Sequence, residues 1–83
     1  MKFHKIKDAS ALTGLKLSVQ FTNGTTKIYD VALLMRRFSV FKLLKDESLF
    51  RDVEVDQGGY GIIWNDDLDL SCDELWENGI EVV

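Results

Sequence analysis

The sequence predicts an α+β fold: a mostly antiparallel sheet built from two hairpins, with short helices packed on one face. Three observations predict it. Leu15, Leu17, Val19 and Phe21 alternate with Lys16, Ser18 and Gln20, and Asn23-Gly24 follows at once. Asp52 to Asp56 alternates acid with valine, then Gln57-Gly58-Gly59 leads into Tyr60-Gly61-Ile62-Ile63-Trp64. Asp30 and Ser71 each stand before a segment with helical spacing of apolar residues.

Each element has its own warrant. Lys2 to Asp8 reads as a first strand, with Phe3 and Ile6 as its apolar contacts. Leu15 to Phe21 has the period of two that marks a strand with one buried face. Asn23-Gly24 suits a type I′ turn, whose two central residues both need positive φ. That turn pairs Phe21 with Thr26 and Val19 with Ile28, so the apolar face continues into the strand Thr25–Tyr29. Asp30 is an N-cap residue, and Val31, Leu34 and Met35 then share one helical face. Arg36-Arg37 closes that helix near the negative end of its dipole. Ser39 is placed to cap a second short helix carrying Val40, Phe41, Leu43 and Leu44, and Ser48-Leu49-Phe50 reads as a further turn.

The second hairpin puts valine inward and acid outward along Asp52–Asp56 and returns through Tyr60–Trp64. Ser71-Cys72-Asp73-Glu74 is a capping box, in which Glu74 reaches back to the N-cap amide. Leu70 and Leu75 bracket it as a hydrophobic staple. Gly79 reads as a left-handed stop, and Ile80 to Val83 as a short last strand or a tail.

Length and composition limit the function classes. The 83 residues make one small domain, residues 1–83, with a thin core. A content of 46% hydrophobic and 29% charged residues argues against disorder. With no proline and six glycines, no segment reads as a linker. Cys72 is the only cysteine, so no internal disulfide forms. The first eight residues mix charge with apolar side chains and lack a signal core, and no stretch approaches a membrane span. A cytoplasmic location with no membrane association is the expectation.

The net charge of −4 conceals an asymmetry. Residues 1–45 carry nine Lys and Arg against two Asp, while residues 46–83 carry one Arg against twelve Asp and Glu. Either the halves pack together and offset one another, or a basic and an acidic face each meet a partner.

No motif assembles a reaction. EF-hand spacing would place ligands at Asn65, Asp67, Asp69 and Ser71, but Leu70 replaces the sixth-position glycine and Trp76 the twelfth-position glutamate. The expectation is a solvated acidic loop with no metal and no cofactor. Cys72 lies in a first helical turn, which favours a thiolate, while Asp73 and Glu74 oppose it. His4 is the only candidate base, so no Cys–His nucleophile is expected, and His4 itself reads as a surface residue. Gly58-Gly59-Tyr60-Gly61 lies between two strands, not before a helix, so it is a turn and not a phosphate loop. Arg36, Arg37, Lys42 and Lys45 could touch phosphate, but the net acidic balance argues against general nucleic-acid binding. Trp64 and Trp76 flank the acidic run; at least one is expected in the core, and one left partly exposed beside acid would suit a protein interface.

The order of these elements resembles the small bacterial domain-of-unknown-function family 2442. The resemblance rests on Phe21-Thr22-Asn23-Gly24, Asp30, Phe41-Lys42-Leu43-Leu44, Phe50, and the stretch from Trp64 to Trp76. It covers nearly the whole chain. Asn65-Asp66 replaces the proline or glycine found after the tryptophan in many members, and Trp76 replaces a usual tyrosine. The resemblance implies an α+β fold and no established catalytic residues. It also implies a gene beside another small protein, an arrangement like a toxin–antitoxin pair, and some relatives add a helix-turn-helix domain.

The resulting expectation is a non-enzymatic protein-interaction module, antitoxin-like, binding a small basic protein through Trp64, Asp66, Asp67, Asp69 and Trp76. The alternatives are a self-associating domain, a homodimer paired at a sheet edge through its first or last strand, and a small-ligand site beside Tyr60 and Trp64.

Overall fold

The computed structural model describes residues 4–82. Strands β1 (Ile6–Leu12), β2 (Lys16–Phe21) and β3 (Thr26–Asp30) form an antiparallel meander, and β7 (Ile80–Glu81) adds to the far side of β3. Strands β4 (Glu54–Val55), β5 (Gly61–Asn65) and β6 (Leu68–Ser71) form a second meander. Between them in sequence come α1 (Val31–Arg37), a 3-10 segment (Ser39–Lys45) and α2 (Glu47–Arg51); α3 (Cys72–Asn78) follows β6. The α+β class and antiparallel pairing are as expected, but the strands divide between two sheets.

The opening strand starts and ends later than its alternation suggests. It runs from Ile6 to Leu12 and turns through Thr13-Gly14-Leu15 into β2; the expected Lys2 and Phe3 lie outside the described residues. Leu15 therefore belongs to a turn, at φ 59°, although its half-buried side chain still packs against the core. A leucine in that region costs about 1–2 kcal/mol. The strained carbonyl is used: it accepts the Val31 N–H at 3.0 Å and ties the turn to the start of α1.

The turn after β2 differs from expectation by one residue. Gly24 has φ 93°, and Asn23 does not share a positive φ. The Phe21 N–H bonds to the Thr25 carbonyl at 2.8 Å, and the Gly24 N–H returns to the Phe21 carbonyl at 3.0 Å. This is a three-residue loop needing one left-handed residue, where the expected two-residue turn needs two. Tyr29 thus pairs with Leu17, and Ile28 with Ser18. A slip of one exchanges the two faces, so Tyr29 enters the core and Ile28 is only half-buried.

Asp30 caps α1 as expected, its carboxylate accepting the Ala32 N–H at 3.0 Å, and Val31, Leu34 and Met35 are buried. Ser39 caps nothing; the cap position belongs to Phe38, which has no side-chain cap bond. The segment after it is 3-10, and in that geometry residues three apart eclipse. Phe41 and Leu44 therefore turn inward together, and Val40 and Leu43 turn outward. Asp46 caps α2, the element that replaces the expected turn at Ser48–Phe50.

Only Glu54 and Val55 of the expected Asp52–Asp56 strand pair with β5. Asp52 ends α2 instead, and the Asp56 carboxylate accepts the Gly58 and Tyr60 amides in the turn. Leu68 to Ser71, where the expectation is the end of an acidic loop running into the helix staple and cap, supplies strand β6. The Asn65 side chain accepts the Asp67 and Leu68 amides, closing a tight turn between β5 and β6. Ser71 caps α3 through the Glu74 N–H at 3.1 Å. The Glu74 carboxylate does not reach back; it takes the Tyr29 hydroxyl. Leu70 and Leu75 are both buried. Gly79 has φ −77°, so it is no left-handed stop. Glycine is needed because a Cβ would sit 2.6 Å from the Leu75 carbonyl oxygen. The residues after it join β3 as β7, with Val83 outside the described range.

One apolar cluster joins both sheets and all the helices. Among the described residues no polar or charged residue is buried. The charged halves form no ion pair with each other among the described residues. Among the described residues the one ion pair is Arg51–Glu47, and both partners lie in the acidic half. No helix among these residues is long and apolar enough to cross a membrane.

Candidate functional site

The segment from Val31 to Lys45 has two apolar sides. One enters the core. The other exposes Leu33, Phe38, Val40 and Leu43, at 56%, 49%, 45% and 57%. Phe38 stands where α1 breaks: its N–H closes the helix on the Leu34 carbonyl at 2.9 Å, and its own backbone is extended. Its ring meets Phe41 edge-on at 6.4 Å. Phe41 in turn meets Trp64 at 6.5 Å, and Trp64 stacks on Phe50 at 6.4 Å. A chain of aromatic rings thus leads from the surface into the core, giving Phe38 a firm base.

Opposite Phe38 stand β6 and the first turns of α3. An open groove of about 340 Å³ lies between, lined by Leu34, Phe38, Phe41 and Leu70 with Asp67, Asp69, Ser71 and Glu74. A neighbouring recess of about 260 Å³ shares Leu34 and Glu74 and adds Tyr29, Leu33 and Arg37. Glu74 is held in place by the Tyr29 hydroxyl at 2.8 Å and the Asn78 amide at 3.0 Å. The Tyr29 hydroxyl is pushed well above its usual range, first by burial and then by the Glu74 carboxylate beside it. It therefore remains a donor at neutral pH. Asp67 and Asp69 are exposed and pair with no cation among the described residues.

The sequence-predicted site residues separate. Asp67 and Asp69 line the groove, and Asp66 is exposed on the adjoining turn. Trp64 is buried at 7% exposure, its indole N–H donating to the Phe50 carbonyl at 3.1 Å, so it offers no surface to a partner. Trp76 is half-buried elsewhere. It stacks on His4 at 3.6 Å, meets Phe21 edge-on at 4.9 Å, and carries the Lys27 ammonium 4.0 Å from its ring centroid. Lys27 also donates to the Trp76 carbonyl. His4 is accordingly a half-buried packing residue and not a free surface one. Tyr60 is exposed, with Lys5 over its ring, whereas Trp64 is buried.

Other candidates resolve simply. Cys72 is buried and its thiol donates to the His4 carbonyl at 3.0 Å. Burial pushes the thiol up, and Asp73 and Asp56 push it further, so it is a poor nucleophile. Among the described residues no group of three His, Cys, Asp or Glu is placed to hold a metal. Arg36, Arg37, Lys42 and Lys45 line an open pocket of about 540 Å³ with Leu15 and Met35.

Sequence reading missed Phe38, Leu33 and β6. The alternation Leu68-Asp69-Leu70-Ser71 was a usable signal for the strand. Phe38 carried none: its spacing from Val31 and Leu34 would put it inward on a longer helix.

No curated protein and no solved structure matches the chain. Residues 6–81 match the family described as Protein of unknown function (DUF2442), and the chain, with its two antiparallel meanders and capped helices, belongs to that family.

Proposed function

We propose that this domain is a non-enzymatic protein-interaction module that docks a small basic protein in the groove between Phe38 and β6. The observation that carries the reading is the groove itself. An exposed phenylalanine lines it together with two carboxylates, Asp67 and Asp69, that have no cation partner among the described residues. An aromatic anchor beside unpaired charge is the composition of an interface hot spot and its steering rim. The resemblance to a two-gene arrangement favours an antitoxin-like role in the cytoplasm, with the basic protein as the other member of the pair.

Capture from the source cell's lysate tests this. Wild-type protein retains one small basic protein, released as salt rises. Phe38→Asp and the double change Asp67→Lys with Asp69→Lys each lose it while folding normally. Equal capture by all three would remove the groove from consideration. A rise of solution mass with concentration, and no captured protein, would favour self-association.

A further inference from the structure

The backbone beside Asp69 specifies how a partner enters the groove. In an antiparallel ladder, alternate residues turn both backbone groups toward one neighbour, and the residues between turn theirs away. The Cys72 N–H bonds to the Tyr60 carbonyl at 2.8 Å, and Leu70 stands opposite Ile62. That phase turns Leu70 toward β5, and it turns Asp69 and the Ser71 N–H away from it. β6 is the last strand of its sheet, so no strand lies on that side. Among the described residues the Asp69 N–H and C=O and the Ser71 N–H have no other backbone partner.

The β1 edge of the first sheet is closed only in part, since Ala11 also turns outward with no partner among the described residues. On β1 the Ile6 N–H is taken by the Gly59 carbonyl at 2.8 Å, and the Ala9 N–H by the Asp8 carboxylate at 2.9 Å. The free edge of β6 also coincides with the groove, whose lining includes Asp67, Asp69, Leu70 and Ser71. Side chains of an added strand alternate between the two faces of a sheet. On the face of Leu70 they would meet Phe38 and Phe41. On the face of Asp67 and Asp69 they would meet carboxylate.

We propose that β6 is a strand-docking edge, and that the partner binds it as an extended segment in which apolar and basic residues alternate. This rests on the groove being the binding site. Main-chain bonds to Asp69 and Ser71 supply affinity, the Phe38–Phe41 floor selects the apolar residues, and Asp67 and Asp69 select the basic ones.

The test uses a short synthetic peptide alternating valine and lysine, flanked by prolines against self-pairing, and a second copy N-methylated at the amides that would face β6. Amide exchange is followed by NMR on the whole domain. Binding of the first peptide slows exchange at Asp69 and Ser71 by about tenfold or more. N-methylation weakens binding by about tenfold, the loss of one or two net hydrogen bonds. Asp69→Pro, which removes only an outward N–H from the backbone, loses more affinity than Asp69→Asn. Peptide-induced shifts at Phe38 with unchanged exchange at Asp69 and Ser71 would overturn strand pairing and leave the groove as an interface. Equal affinity of the N-methylated peptide, or no binding of either, would also overturn it. Loss of the groove reading would appear separately, as lysate capture indifferent to Phe38.

Discussion

The two sides of the segment from Val31 to Lys45 have nearly the same composition and opposite fates. Leu34, Phe41 and Leu44 are buried, while Leu33, Phe38 and Leu43 stand in solvent. Hydrophobicity does not separate them; backbone geometry does. α1 ends after Arg37, the chain passes through an extended Phe38, and a 3-10 segment resumes with a different angular phase. On a single continuous helix Phe38 would have joined Val31 and Leu34 on the buried stripe. The break turns Phe38 outward instead, and among the described residues no element covers it. An exposed apolar strip of this kind marks a contact surface more often than it marks an error of packing.

That contrast can be broken at its inner side first. Trp64→Ala empties the position between Phe41 and Phe50 and removes the bond to the Phe50 carbonyl. A loss of about 3–5 kcal/mol is expected, read by urea unfolding. Leu44→Ala, at a fully buried position, is expected to cost about 3 kcal/mol. A loss below about 1 kcal/mol at Trp64 would mean that the aromatic chain does not anchor the segment, and at Leu44 that the inner side of the segment is not packed.

Tyr29 joins the two sides, since its ring is in the core and its hydroxyl holds Glu74 on the groove wall. Tyr29→Phe is expected to cost about 1 kcal/mol at pH 7. The cost also depends on pH. The unfolded chain releases this proton near pH 10, while the folded chain holds it higher. Above about pH 10 the folded state binds more protons, so stability falls as pH rises. The phenylalanine variant lacks that loss, and its deficit should narrow through alkaline pH. A constant deficit would mean that the hydroxyl is not held by burial and Glu74.

The outer side should respond least in stability. Phe38→Ser is expected to change unfolding by no more than about 0.5 kcal/mol while abolishing capture of the partner. A large loss of stability would make Phe38 a packing residue and not an anchor.

Much of the fold could be read from the chain because its signals are local. A cap needs one side chain and a neighbouring amide, and Asp30 and Ser71 fulfil that in the structure. Strand β2 shows a clean alternation, and Leu17, Val19 and Phe21 are buried as it requires. Errors arose where two local solutions compete. Asn-Gly serves either a two-residue or a three-residue loop, and the difference decides whether Tyr29 or Ile28 enters the core. The acidic turn obscured β6 because two carboxylates precede its short alternation. Of the site, Asp67 and Asp69 were legible as exposed acid, whereas Trp64 was misplaced because a tryptophan beside acid looks the same in sequence whether its ring faces core or solvent.

The sequence by itself determined the class of fold, the N-caps Asp30 and Ser71, the charge asymmetry and the absence of any disulfide within the chain. Those follow from residue identity and short spacing. The tertiary structure alone decided the register of β3, the division into two sheets, the burial of Trp64 and the exposure of Phe38. Each depends on what lies across the chain from a residue. Bringing Phe38 into one groove with Asp67 and Asp69 required the break after α1 and the packing together of elements distant in sequence.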